Sequence, residues 1–324
     1  MKTIMSALSL KKRIETRMGL HTDLGRRHGA WLLMTLPAVL WIVVFRYITL
    51  VGLGIAFIDY RPRRGIFGSD FVGLRNFEFL FRTEAALRAT RNTVLLSLLF
   101  LVVSMVVALA VAYMIYQIYS SRMTKYYQTV LLLPNFISWV IVSYFVFALL
   151  ATESGIVNVI LRNMGRDQIA WYSSPQYWPF ILLLAHMWNS LGWSSLIYLA
   201  AMLGIDPQLY EAATLDGANK FRQFFSVTIP LILPIVTLNF LLGLGNIFAQ
   251  DFGLFYQVTR NRPQLYPTTD VLDTFIYRSI AGLGNIPMAS AAQFYQSVVG
   301  FVLILSANWL IKRTSRSDQD LSIF

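Results

Sequence analysis

Glu211 is the acidic centre of residues 206–234, DPQLYEAATLDGANKFRQFFSVTIPLILP, the longest amphipathic, helix-competent stretch between two runs of membrane-grade hydrophobicity. The chemistry this stretch offers is docking. Asp206 can accept free backbone N–H groups as an N-cap, and Pro207 suits the first helical position. Leu209, Tyr210, Ala213 and Leu215 recur at roughly helical spacing. Gly217 follows Asp216 and can take the left-handed conformation that stops a helix. Phe221, Phe224 and Phe225 then sit at i, i+3 and i+4 of a second short helix, with Lys220 and Arg222 facing elsewhere. Pro230 and Pro234 mark the return into the membrane. The pattern predicts a helix–turn–helix knuckle at a membrane surface, suited to a soluble partner.

Other polar residues fall inside apolar runs, where they are costly and usually face the interior of a bundle. They are Arg46, Asn135, His186, Asn189, Asn239, Asn246, Gln250 and Asp251, the last two near a membrane edge. For Arg46, an interior or interfacial ion pair is as good a reading as ligand contact. Trp188, Asn189 and Trp193 set aromatic faces beside an amide, which suits sugars; a packed aromatic helix is the plainer alternative. Gly243 and Gly245 beside Asn246 allow close packing or an unwound segment lining a cavity. Arg46, Asn135, Trp188, Asn189, Trp193, Asn246, Gln250 and Asp251 make up the candidate substrate pathway.

Several chemistries are missing. The chain has no cysteine, and its three histidines (His21, His28 and His186) are too scattered for a metal cluster. There is no G-x-x-x-x-G-K-[ST] and not even a Gly-Lys pair, so nucleotide phosphates cannot be cradled in the P-loop manner. No nucleophile–base constellation is found. No cofactor is expected in this chain, and energy from ATP would have to come from another subunit.

The elements that must position these residues are membrane helices. The 324 residues are 56% hydrophobic and 13% charged, against roughly 25% charged in soluble domains. The apolar runs are 31–57, 93–116, 128–151, 178–202, 228–250 and 289–311, each near the length that spans a bilayer. Residues 1–29 read as a polar, basic cytoplasmic arm, 30–313 as the transmembrane domain and 314–324 as a tail. The charged N-terminal region and the long run after it do not fit a cleavable signal. The net charge of +11 is spread through loops, which favours lipid headgroups, a translocation path or an acidic ligand over nucleic acid.

Lys and Arg are nearly balanced between the two sides, but Lys2, Lys11, Lys12, Lys125, Lys220 and Lys312 all fall on one. The short, basic, acid-free link 119–127 lies there too, so both termini and the knuckle are placed in the cytoplasm. The outer loops are rich in arginine: Arg61, Arg63, Arg64, Arg75, Arg82, Arg88, Arg91, Arg162, Arg166, Arg260, Arg262 and Arg278. Pairing with nearby acids and docking to a receptor is one reading. An entrance suited to anionic substrates is the other, because guanidinium groups bind carboxylates bidentately.

Glu211-Ala212-Ala213, a three-residue gap, Gly217, a nine-residue gap and Val227-x-Ile229-Pro230 together resemble the EAA loop of ABC-importer permeases, whose usual ending is I-x-L-P. Val72-Gly73-Leu74-Arg75-Asn76-Phe77 is similar to the V-G-L-x-N-F element of carbohydrate-importer permeases. WNSLGWSSLIYLAA from Trp188 to Ala201 and DVLDTFIYR from Asp270 to Arg278 are similar to the subgroup that imports oligosaccharides and polysaccharide fragments, alginate importers among them. The resemblance covers roughly residues 30–313 and implies an all-α integral membrane fold, a six-helix permease bundle with a cytoplasmic coupling-helix loop.

It also implies a bacterial inner-membrane protein without an ATPase site of its own. The expected assembly adds a second permease as a heterodimer partner, a pair of ATP-binding cassette subunits holding ATP and Mg, and an extracytoplasmic solute-binding protein. The cargo would be a carbohydrate, and the arginine-rich outer loops fit an acidic one such as alginate fragments. Glu211, Ala212, Ala213 and Gly217 would sit in a cleft of the ATPase subunit, supported by Asp216, Ala218 and the aromatic face at Phe221. ATP-driven closure would move the knuckle and switch the helices between inward- and outward-open states. Two other classes remain open from the residues alone. An ion-coupled secondary transporter would need a mid-span acid pair, and a membrane enzyme acting on lipid-linked sugars would need clustered acids or histidines; neither pattern is found.

Overall fold

The computed structural model describes residues 34–118, 120–248, 251–282 and 284–314; the expected basic arm 1–29, the tail from 315 and the candidate Gln250 lie outside them. The chain divides into two units, Met1–Ile55 and Ala56–Phe324. In the first unit the described residues are helical, belonging to the apolar run α1, Met34–Phe57, with a wide turn at Val43–Tyr47 that contains Arg46.

The second unit opens with an antiparallel hairpin, β1 (Ile58–Arg61) and β2 (Gly65–Phe71), a local exception to an otherwise helical fold. Its register sets Asp59 opposite Asp70, a like-charge pair that would repel. Arg61 offsets Asp59 at 3.0 Å and Arg64 offsets Asp70 at 3.4 Å. The V-G-L-R-N-F segment follows. Gly73 takes φ +61°, and the Asn76 amide then donates to the carbonyls of Ala56 and Ile58 at 3.0 and 2.9 Å. That motif is therefore architectural, tying the hairpin down beside Phe77, which packs against Phe57 and Phe294.

Next come α2 (Glu78–Arg82), α3 (Glu84–Tyr116), α4 (Ser121–Leu132), α5 (Trp139–Leu150) and α6 (Ile156–Asn163). The long helix α7 is Trp178–Leu203, the knuckle is α8 (Pro207–Leu215) and α9 (Lys220–Gln223), and α10 is Ile229–Gly245. The short α11 (Tyr266–Thr269), α12 (Leu272–Ala281) and α13 (Ile286–Thr314) complete the described chain. Among the described residues five helices are long and apolar enough to cross a membrane, or six if one bent pair is counted as a span.

That pair corrects the expectation of a continuous helix over 128–151. Residues Ser121–Phe136 and Trp139–Leu150 meet at 96°. Pro134 has no N–H to continue the ladder. The chain tightens into a 3-10 turn at Leu133–Phe136, and Ile137 and Ser138 are extended. Gly192 of α7 faces this break; a Cβ there would lie 2.0 Å from the Leu131 carbonyl oxygen, so only glycine permits the approach. The connections 58–90 and 251–288, lying between apolar runs, also carry structure. They hold the hairpin, α2, α11 and α12, and their apolar side chains join the core.

Packing falls into three clusters. Small residues Ala108 and Ala112 of α3 meet Tyr198, Leu199 and Met202 of α7 near the knuckle. Phe100, Trp178, Leu182 and Phe255 fill the middle. Leu80, Ala86, Phe275 and Ala292 join α2, α3, α12 and α13 near the hairpin.

Candidate functional site

The knuckle is built by local capping. Asp206 Oδ1 accepts from the N–H of Gln208 at 3.0 Å, and Pro207 occupies the first turn. Gly217, at φ +78°, ends α8, and the N–H of Ala218 returns to the carbonyl of Ala213 at 2.9 Å. Asn219 then caps α9 by accepting from Arg222 N at 2.8 Å. After Gln223 the helix widens into a π turn, Phe224–Thr228. Pro230 cannot donate to the carbonyl of Ser226, and its ring crowds that carbonyl, which accounts for the widening.

A polar clasp holds the knuckle to the bundle. Gln223 is only 1% exposed and donates to Thr214 Oγ1 at 2.8 Å and the Ala218 carbonyl at 3.3 Å, locking α8 to α9. The Tyr210 and Thr228 hydroxyls lie 2.9 Å apart, and Tyr113 of α3 donates to the Lys220 carbonyl at 2.8 Å. Burial pushes the Tyr210 phenol up to about 12. Phe224 turns inward to stack near Tyr113, ring centroids 4.7 Å apart, while Phe221 and Phe225 stay outside. Phe225 touches both of the other rings, at centroid distances of 4.8 Å from Phe221 and 5.0 Å from Phe224, so the cluster runs from the open surface to the bundle.

The opposite surface is open. Glu211, Ala212, Asp216 and Gly217 are exposed, Ala213 and Ala218 half-buried, Leu215 is 89% exposed and Phe221 73%. Glu211 also lines a cleft of about 330 Å³ with Tyr116, Tyr210, Thr214 and Lys220. An acidic side chain flanked by bare apolar ones is a surface for a basic, partly apolar partner. Of the clasp, Gln223 escaped sequence reasoning. Its signal would be a lone amide inside a phenylalanine run, but only the fold brings Thr214 to it.

The candidate pathway residues separate into groups. Asn246 and Asp251 come together with His186 around a cleft of about 220 Å³. Asp251 accepts from the Trp139 indole N–H and from the N–H of Gly253 at 3.0 Å; the Asn246 amide returns to the Leu242 carbonyl at 3.0 Å. The chain is unwound just after Asn246, and its carbonyls are taken up by Ser97, which donates to Ile247 O at 2.6 Å, and by Gln296, which donates to Phe248 O at 2.7 Å. That satisfies backbone groups that lipid cannot.

Asn189 does not line an open path. Its buried amide donates to Pro134 O at 2.9 Å and Ile137 O at 3.4 Å, and Asn135 donates to Asn189 O at 3.5 Å. The two asparagines staple the 96° bend. Trp188 and Asn189 are successive helical residues and so point apart. Trp188 opens onto an apolar cleft with Phe145 and Leu149, and Trp193 is exposed. The pairing of ring and amide expected for sugar contact is therefore not made there. Arg46 belongs to the other unit. A larger cleft, about 640 Å³, was not anticipated; Phe248, Phe252, Asp273, Tyr277, Gln293 and Gln296 line it.

Several of the outer-loop arginines are engaged by neighbours in the chain. Arg82 pairs with Glu78 at 3.4 Å, Arg162 donates to Glu153 O at 3.0 Å, and Arg278 pairs with the buried Asp270 at 2.6 Å. Burial raises the Asp270 carboxyl above its ordinary value, opposed by the guanidinium of Arg278. Arg260 and Arg262 differ, lying over aromatic rings.

A capped, exposed knuckle clasped to broken and bent helices of membrane-spanning length fits a membrane transport subunit. Residues 105–316 match the family described as "Binding-protein-dependent transport system inner membrane component", and the chain belongs to it. It is thus a multi-pass inner-membrane permease subunit of a binding-protein-dependent ABC importer. It is 32% identical over 283 residues, 87% of each chain, to the polygalacturonan/rhamnogalacturonan transport system permease protein YteP of Bacillus subtilis. It is 31% identical over 237 residues, 73% of this chain and 77% of the relative, to the sn-glycerol-3-phosphate transport system permease protein UgpA of Yersinia enterocolitica.

Among solved structures it is similar to a chain of a bacterial ABC transporter involved in the import of the acidic polysaccharide alginate. The TM-score is 0.81 at 32% identity, covering 90% of this chain and 98% of that one. A bacterial alginate ABC transporter in complex with an alginate pentasaccharide-bound periplasmic protein gives a TM-score of 0.80 at 33% identity, covering 89% of this chain and 96% of that one.

Proposed function

We propose that the cargo is an acidic oligosaccharide, a uronate chain of the alginate or polygalacturonate kind, carried by alternating access. The observation that carries this reading is the near full-length likeness to an alginate importer at 32% identity, with a polygalacturonan permease among the relatives. The knuckle is the coupling element. Glu211, Ala212, Ala213 and Gly217 seat in a cleft of an ATP-binding cassette subunit, with Asp216, Ala218 and Phe221 shaping the contact. A pair of such subunits holds ATP and Mg and does the hydrolysis; this chain supplies no ATPase site.

A second, different permease completes the path, and an extracytoplasmic binding protein delivers substrate to the hairpin end. Both termini and the knuckle are cytoplasmic. What supports this orientation is the one-sided set of lysines, joined by the exposed, acid-centred surface at the knuckle. The cleft at His186, Asn246 and Asp251 lies on the substrate path.

The test is purification of the tagged chain from detergent-solubilised membranes, followed by an ATPase assay with binding protein and candidate sugars. Co-purification of an ATPase stimulated by a uronate oligomer is the expected result. Stimulation by neutral sugars alone would discard the acidic cargo, and the absence of any ATPase partner would discard the coupling role of the knuckle.

A further inference from the structure

Arg260 and Arg262 stand apart from the other outer-loop arginines in backbone conformation and in their shared aromatic neighbours. Arg260 and Asn261 take φ of 55° and 47° in succession, both left-handed and neither glycine. Such strain persists only where the surroundings hold it, and it gathers at binding sites. Here the hold is explicit. Arg260 N donates to Gln257 O at 3.0 Å and Asn261 N to Tyr256 O at 3.1 Å, while the Tyr266 hydroxyl donates to Asn261 Oδ1 at 2.9 Å.

The turn lays both side chains on one aromatic shelf. The Arg260 guanidinium carbon lies 3.9 Å from the Phe147 ring centroid and 5.7 Å from that of Tyr144; Arg262 lies 5.2 Å from Tyr172. Phe147 and Tyr172 touch edge to face, centroids 5.6 Å apart. Stacking uses the flat faces of the guanidiniums and leaves their N–H edges open to a planar anion. Both arginines are exposed, and among the described residues no carboxylate lies within ion-pair distance of either, unlike Arg61, Arg64, Arg82 and Arg278.

We infer that Arg260 and Arg262 on the Tyr144–Phe147–Tyr172 shelf capture the carboxylates of an acidic sugar chain at the extracytoplasmic mouth. The inference rests on the proposed acidic cargo and orientation. Two fixed cations two residues apart suit a polymer that carries a carboxylate on every ring. Tyr172 within the shelf stays uncharged: burial holds its phenol at about 12 although both arginines draw it down.

The experiment is uptake by the complete importer with its binding protein in proteoliposomes, using an oligouronate and the same oligomer with its carboxyls reduced to alcohols. The double variant Arg260→Gln, Arg262→Gln should raise KM for the oligouronate about tenfold, the scale of losing hydrogen bonds to a charged group, and flatten its salt dependence. It should leave the reduced oligomer unchanged. Arg260→Lys with Arg262→Lys should recover part of the affinity, since charge remains without the planar fork. Phe147→Leu, which keeps both arginines but removes the platform under one, should give a smaller rise.

Equal loss for both oligomers would overturn the inference and make the pair a contact for the binding protein. An unchanged KM for the oligouronate would overturn it as well. A wild-type importer that takes up both oligomers equally would instead overturn the acidic-cargo reading beneath it. Recovery of the complex at the wild-type level, checked by its elution in detergent, separates either result from misfolding.

Discussion

Gln223 and Asn189 are buried amides that play the same part, each closing a gap that the helical ladder leaves. Asn189 serves the carbonyls of Pro134 and Ile137 at the bend, and its replacement by Ala would strand both. We expect Asn189→Ala to cost about 1–3 kcal/mol, the usual penalty for orphaned buried polar groups, read as earlier thermal unfolding in detergent. Gly217 acts through conformation alone. A Cβ there would meet nothing within 4 Å, yet φ is +78°. Gly217→Val should therefore weaken the knuckle by about 1–2 kcal/mol, and Gly217→Asn, which tolerates the left-handed region, by less. Equal effects of Val and Asn on stability would show that space, not φ, matters.

At the scale of elements, the knuckle and the α12 segment are each anchored by polar groups at their margins. Tyr210 links α8 to the π turn through Thr228. With the folded pKa at about 12 against an ordinary 10.0, the neutral phenol is favoured in the folded state. Its contribution is whole below about 10 and is lost as pH rises through about 12. Tyr210→Phe should remove the Tyr210 share of this alkaline loss, measured as a smaller drop in thermal stability between about pH 10 and pH 12 than in the wild type. The anchor of α12 is ionic. Asp270, 2% exposed, holds Arg278 at 2.6 Å and accepts from Thr274 at 3.0 Å. Removing one member of such a buried pair leaves the other uncompensated, so Asp270→Ala should cost about 3–5 kcal/mol of stability. Loss of only a few tenths would mean that water takes over the pairing with Arg278.

Across the whole molecule, the cleft proposed for substrate and the knuckle proposed for coupling are lined from different stretches of the same long helix α3, Ser97, Phe100 and Leu101 for the cleft and Tyr116 for the knuckle. Close packing of Ala108 and Ala112 against Tyr198 and Met202 joins α3 and α7 directly above the knuckle. In the proposed coupling, a push on α8 would reach helices that also carry Phe100 and His186 beside the cleft. Glu211→Lys reverses the charge of an exposed side chain that makes no ion pair among the described residues. We expect it to abolish uptake while membrane levels and thermal stability stay at wild type. Retained transport would remove Glu211 from the coupling contact.

The knuckle, the membrane class and most span positions were legible in the sequence because their causes are local. An N-cap, a first-turn proline, a helix-stopping glycine and a run of apolar residues act within a few positions of themselves. The candidate substrate pathway was only partly legible. Sequence could mark Asn135, Asn189, Asn246 and Asp251 as too costly for lipid, but not say what each repays. The fold assigned Asn135 and Asn189 to the bend and Asp251 to Trp139, and it sent Trp188 outward, since neighbours on a helix diverge. Likewise the arginines were indistinguishable by residue type and position alone. Which of them met a carboxylate nearby, and which met a ring, depended for Arg260 and Arg262 on residues far away along the chain. Short-range sterics and hydropathy set where the helices lie; long-range pairing decided what their polar side chains do.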